Sequence, residues 1–375
     1  MACFKLNIFL FLLAIAPGLS AQQFRTLEIL QDSSDQALNI RLESNSFVKN
    51  NEYNSNTTKG FTGIGYSLKP TLEYWATKGT RLNAGLFLQQ YSGRDRFNQI
   101  LPIFTVQQKL TPQLDLVLGS IYGNLNHELD EPVYRVDEFY QNNVEYGLQL
   151  LHQGERLDAD VWISWDEFIL KGDDQQENWT AGVNMELTIW SKDNWTLSAP
   201  VQALLFHYGG EIDTSPDPVL SILNGRFGLS ANVEMASQTS LGLSASYYDY
   251  DALNAPASGV HAQALESGNG FYFKVAYDTK NIGGEISYWF ADGFIAPRGE
   301  FLLLSIPEFE DGRLQPKRKF VNARLKFKKP IKKSMALEFD VRAYYDLDNR
   351  QFSHSMGLYF FINEVFRLKK ISANK

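Results

Sequence analysis

Residues Arg81–Gln89 read RLNAGLFLQ and residues Met335–Tyr344 read MALEFDVRAY. In the first, Leu82, Ala84, Leu86 and Leu88 interleave with Arg81, Asn83, Phe87 and Gln89; in the second, Met335, Leu337, Phe339, Val341 and Ala343 interleave with Glu338, Asp340, Arg342 and Tyr344. Successive side chains of a strand point to opposite faces, so each segment has one apolar and one largely polar face. A slip of one residue would carry Glu338, Asp340 and Arg342 together onto the apolar side, which fixes the register. The pattern recurs from Leu38 to Ile362 in segments of about ten residues, long enough for a tilted span across a bilayer and about twice a usual soluble strand. The fold class that follows is all-β, a single antiparallel up-and-down transmembrane barrel.

Clusters of Gly, Asn, Asp and Lys divide this region into about 16 strands, an even number as bacterial barrels prefer. Short links at Lys78–Gly79, Thr111–Pro112, Gly154–Glu155, Ser191–Asn194 and Lys332–Ser334 contrast with long ones at 49–59, 124–141, 209–221, 251–268 and 292–317. The short ones are expected on the periplasmic side and the long ones outside. Phe301–Ile306 is apolar enough for a strand, but an extra strand would make the count odd, so it is assigned to the last long loop. Trp75, Trp190 and Trp195 near one set of strand ends, and Tyr91, Tyr248, Tyr250, Tyr344 and Tyr345 near the other, read as interfacial girdles.

The first residues carry Lys5, an apolar run from Leu6 to Ala16, Pro17 and Gly18, then Ser20 and Ala21. Residues 1–21 therefore read as a cleaved secretory signal peptide, 22–35 as a short periplasmic segment and 36–375 as an outer-membrane barrel. The one cysteine, Cys3, falls in the signal, so thiol, disulfide and lipid-anchor chemistry is excluded from the mature chain. A net charge of −8 argues against nucleic-acid binding. A mean hydropathy of −0.26 suits a barrel that shows only alternate residues to lipid.

GLFLQQYSG (Gly85–Gly93), GNLNHELDEPVY (Gly123–Tyr134), NVEYGLQL (Asn143–Leu150), DVWISWDEF (Asp160–Phe168) and MGLYF (Met356–Phe360) resemble the uncharacterised porin-like outer-membrane β-barrels of Bacteroidota. The resemblance spans nearly the whole mature chain and implies fold and location. It implies no substrate and transfers no functional residue. Phe366 is followed by a basic tail to Lys375, a departure from barrels that finish on an aromatic residue.

The alternation assigns Arg81, Asp158, Asp160, Asp166, Arg226, Lys274, Glu285, Arg324, Lys326, Glu338, Asp340 and Arg342 to the lumen as candidate pore-lining charges. Residues 312–337 hold ten Lys or Arg and no acid. With Asp158, Asp160 and Asp166 seven strands earlier, a basic wall facing an acidic one would set a transverse field. The other reading pairs Glu338 and Asp340 with their basic neighbours. In the loop 124–141, Glu128, Asp130, Glu131, Asp137 and Glu138 form either a constriction or a solvated external loop.

His127, His152, His207 and His261 lie in loops or near strand ends with no matching serine and acid at repeated spacing, and Ser353 and Ser355 face away from His354. A triad assembled from different strands, for lipid hydrolysis or acyl transfer, is the enzymatic reading left open. The chain therefore reads as a non-enzyme without catalytic residues, cofactor or metal. The function expected is passive diffusion of small polar solutes or ions through a porin-like channel. The alternative is a non-conducting scaffold or accessory barrel whose external loops bind a partner, its lumen blocked by Tyr248, Trp162, Phe87 and ion pairs. Expected partners are outer-membrane lipid and lipopolysaccharide, small polar solutes and the barrel-assembly machinery.

Overall fold

The computed structural model describes residues 36–371 apart from 211, 236–237, 257–262 and 309–313. The expected signal peptide at 1–21, the expected periplasmic segment 22–35 and His261 lie outside the described residues. Sixteen strands form one closed antiparallel barrel: β1 Gln36–Glu52, β2 Thr62–Thr77, β3 Thr80–Tyr91, β4 Gln99–Thr111, β5 Leu114–Ser120, β6 Tyr146–Gln153, β7 Leu157–Glu167, β8 Asn178–Lys192, β9 Trp195–Tyr208, β10 Leu220–Glu234, β11 Ser240–Ala252, β12 Ser267–Asp278, β13 Ile282–Asp292, β14 Lys317–Lys332, β15 Met335–Asp346 and β16 Gln351–Ile371. Each strand pairs with its sequence neighbours. The seam closes by β1 on β16, from Gln36 opposite Ile371 to Glu52 opposite His354. Closure leaves no sheet edge, as a backbone surrounded by lipid requires.

The alternation read from the sequence sets which residues face out. Leu86, Ile100, Phe104 and Ile286 are 45%, 60%, 58% and 63% exposed on the outer wall. Arg81, Phe87, Gln89, Glu338, Asp340 and Arg342 are buried inside. Short turns gather at one end and long loops at the other. Phe301–Ile306 forms turns rather than a strand, and Leu302, Leu303 and Leu304 are buried. This loop bends into the lumen, where its apolar run has a core to join.

The girdle assignment needs a correction. Tyr248, Tyr250 and Tyr344 are buried on the lumen face, and Tyr91 packs edge-on against Phe47 at 5.7 Å. Position near a strand end does not fix the face. Phase does, and Tyr247 and Tyr345 are the outward residues of those pairs. Trp190 and Trp195 are half exposed beside their short turn.

Trp162 lies flat on the inner wall opposite Gly182, and a Cβ at Gly182 would overlap its indole. Gly182→Val is expected to dislodge Trp162 and cost about 2 kcal/mol, the usual penalty for overpacking. A lowered midpoint of the heat-modifiable gel shift that reports folded barrel would show it; an unchanged midpoint would refute the contact's role.

Candidate functional site

The loop between β5 and β6 folds inward and contacts walls all round the lumen. Two short 3-10 turns, Asn124–His127 and Val136–Tyr140, give it local order. At its start, His127 stacks on Trp162 at 3.5 Å and lies 2.7 Å from Asp160 and 3.2 Å from Glu145. Asp130 takes Arg226 at 3.1 Å, Lys274 at 3.2 Å and the Tyr248 hydroxyl. Glu131 accepts from Arg342 and Tyr344. Asp137 accepts from Asn51 at 2.7 Å and lies 3.6 Å from Lys49, while the Tyr140 hydroxyl donates to that of Tyr359 at 2.7 Å. These contacts reach β1, β7, β10, β11, β12, β15 and β16.

The loop between β13 and β14 joins it. Phe294, Ile295 and Leu302–Leu304 pack with Trp289, Tyr248 and Phe206 in one apolar cluster that includes Val133 and Tyr134 of the first loop. Arg298 lies 2.6 Å from Asp166 and 3.8 Å from Glu145. Together the two loops form a plug.

The expected lumen charges are thus divided among local partners. Asp160 and Asp166 face His127 and Arg298. Arg324 and Arg342 both reach Asp340. Arg81 donates to Gln107 and Tyr122 and lies 3.6 Å from Glu73. Glu338 is buried, Lys326 and Glu285 line a lumen cavity, and Asp158 is exposed at the inner end of β7. Of the loop acids, Glu128 turns the chain with φ 53° and Glu138 pairs with Arg135. Where a charge has a partner of opposite sign beside it, as Asp166 has Arg298 and Arg324 has Asp340, its contribution to a transverse field is weakened. On the inner side of the plug a cavity of about 520 Å³ separates Leu125 and Phe139 from Lys332, Lys333 and Ser334.

Burial alone would lower the His127 pKa, but Asp160 and Glu145 outweigh it and raise it from 6.5 to about 9. Burial also favours the charge-free form of Asp130, yet Arg226 and Lys274 hold its carboxyl well below the usual range. Glu300, buried near Glu131 and Asp137, is pushed above its ordinary 4.5. A raised imidazole pKa stabilises the folded loop fully below pH 6.5 and is lost as pH rises through about 9. The Glu300 shift acts in the same direction, since the folded state resists its ionisation. Loop 124–141 should therefore lose hydrogen-exchange protection, corrected for intrinsic rates, between pH 6.5 and 9. Constant protection across that window would contradict the His127 assignment.

A different pair of side chains faces the membrane. His207, at the outer end of β9, stands opposite Ser221, at the start of β10; both lie on the outward phase of their strands, with His207 half-buried and Ser221 only 8% exposed. Its Nδ1 lies 2.9 Å from the Ser221 Oγ. On its other side Trp179 of β8 is opposite His207 and stacks on it at 4.8 Å and 25°. Trp165 of β7 is in turn opposite Trp179. This row of Trp165, Trp179, His207 and Ser221 lies at the outer rim, where tryptophan marks headgroup depth. The sequence signal was present but scattered: the partners are cross-strand neighbours, so no short spacing reveals them.

No curated protein matches the chain by sequence. Among solved structures, OmpT of Vibrio cholerae, an outer-membrane protein, is similar over 90% of this chain and 100% of its own, with a TM-score of 0.51 at 10% identity. The outer membrane protein OprD from Pseudomonas aeruginosa is similar over 94% of this chain and 98% of its own, with a TM-score of 0.51 at 13% identity. At such identities these likenesses show the outer-membrane barrel fold alone. The model of the family described as lipid A 3'-O-deacylase-type matches residues 30–371. That is an enzyme family, and the match overturns the expectation that the chain is not an enzyme. The chain belongs to the lipid A 3'-O-deacylase-type family.

Proposed function

We propose that the protein is an outer-membrane ester hydrolase that removes an acyl chain from lipid A, with Ser221 as nucleophile and His207 as base. The observation that carries this reading is the 2.9 Å Ser221–His207 contact on the lipid-facing wall at the outer rim. Ester-linked acyl chains meet the sugar headgroup of lipid A at that depth, so a nucleophile there needs no passage through the barrel. With the imidazole proton on Nε2, Nδ1 accepts the hydroxyl proton as Ser221 Oγ attacks the ester carbonyl. Collapse of the tetrahedral intermediate returns that proton to the sugar oxygen and leaves an acyl-serine. Water, activated by the same nitrogen, then frees the fatty acid. Among the described residues no carboxylate hydrogen-bonds His207, and the Trp179 stack supplies the orientation that an acid gives in a triad.

The plug supports this reading against passive diffusion. A lumen crossed by ion pairs from so many strands leaves the outer wall as the working surface, where an acyl chain has to displace the side chains that cover Ser221, 8% exposed. A fluorophosphonate probe applied to the folded protein in detergent is expected to label Ser221, as located by peptide mass. Labelling elsewhere, or none, would remove Ser221 from the mechanism.

A further inference from the structure

The cavity of about 520 Å³ on the inner side of the plug opens toward the end of the barrel where the short turns gather. Its lining is unlike the rest of the lumen. Strand phase turns mostly polar side chains inward in this barrel, yet here the inward residues include Phe87 of β3 and Phe361 of β16, the latter opposite the buried Asn45 of β1. The plug loop adds Leu125 and Phe139, both partly buried. Apolar surface in a wet vestibule gains free energy when a ligand covers it. Five charged side chains complete the lining: Glu43, Lys69, Lys328, Lys332 and Lys333. Glu43 and Lys69 neutralise each other at 2.8 Å, and Lys328 stands opposite Glu338 in the β14–β15 ladder. Glu364, beside the turn that joins these strands, accepts from Ser334. The ammonium groups of Lys332 and Lys333, exposed at that turn, have no ion-pair partner among the described residues. The cavity thus has an apolar end against the plug and a cationic end at the turn.

We propose that this vestibule binds a free fatty acid, with its carboxylate on Lys332 and Lys333 and its chain against Phe87, Phe361, Leu125 and Phe139. A neutral amphiphile gains only the apolar contact and a small anion only the charge, whereas a fatty acid uses both ends of the cavity. The ammonium–carboxylate contacts are charge-assisted, and the volume falls within the range of about 300–1,000 Å³ for small-ligand pockets. The site is separate from Ser221 and His207, which stand at the other end of the barrel, and it does not depend on the hydrolysis proposed there.

Photolabelling of the full-length folded protein in a non-ionic detergent with dodecanoic acid carrying a diazirine at its chain end tests this. Label is expected on peptides that hold Phe87, Leu125, Phe139 or Phe361, with unlabelled dodecanoate displacing it at least about tenfold better than dodecanol or acetate. Lys332→Glu combined with Lys333→Glu is expected to lower labelling of those peptides about tenfold. Should that variant lose its heat-modifiable migration, Lys332→Gln with Lys333→Gln carries the same expectation. Label confined to the outward wall, equal displacement by dodecanol or acetate, or unchanged labelling of the folded lysine variant would each overturn the assignment.

Discussion

Ser221→Ala is expected to lower the rate of acyl release from lipid A by about 10³-fold or more, the scale at which a removed nucleophile acts. The loss should fall on kcat, because the hydroxyl is consumed in the chemical step and not in holding the lipid. His207→Ala should cost a similar factor, and the double variant little more than either single one, since the two groups act as a unit. Trp179→Ala keeps both groups but frees the imidazole, so a smaller loss is expected. Barrel assembly should survive all of these changes, because the side chains lie on the outward face and the ladder is made by the backbone. Hydrolysis of lipid A micelles followed by fatty-acid release measures each case. Equal rates for wild type and Ser221→Ala would transfer the chemistry to another site.

His127→Ala is expected to open the plug. The substitution takes away the cation between Asp160 and Glu145 and the ring stacked on Trp162. Breaking a buried pair by removing one partner costs about 3–5 kcal/mol, because the remaining charges stay desolvated. Here the least costly escape is release of the loop into water. The barrel itself is secured by a continuous ladder whose seam runs from Gln36 to Glu52 on β1. Planar-bilayer recordings should therefore show little conductance for the wild type and frequent large openings for His127→Ala. A silent bilayer with folded variant protein would mean that the remaining contacts, such as Asp130 with Arg226 and Glu131 with Arg342, hold the loop alone.

The fold was legible because its signal is periodic. Alternation of Leu337, Phe339 and Val341 with Glu338, Asp340 and Arg342 gives strand, face and register at once. The same phase assigns charges such as Arg81, Asp340 and Arg342 to the buried inner face, since phase along a strand is local information. Loop conformation is not local. GNLNHELDEPVY reads as an acidic loop, and only contacts with distant strands show that Asp130 and Glu131 point into the barrel. The tyrosines failed for a related reason: Tyr344 and Tyr345 occupy the same strand end yet opposite faces. Ser221 and His207 meet only because β9 and β10 pair in that register, and neighbouring residues offered no hint of it.

The mass of lipid A extracted from outer membranes incubated with the purified wild-type protein bears most directly on the chemistry. A species lighter by one acyl chain, missing from the 3' oxygen and absent with Ser221→Ala, is the expected result. Unaltered lipid A in the presence of folded wild-type protein would contradict ester hydrolysis at the outer wall.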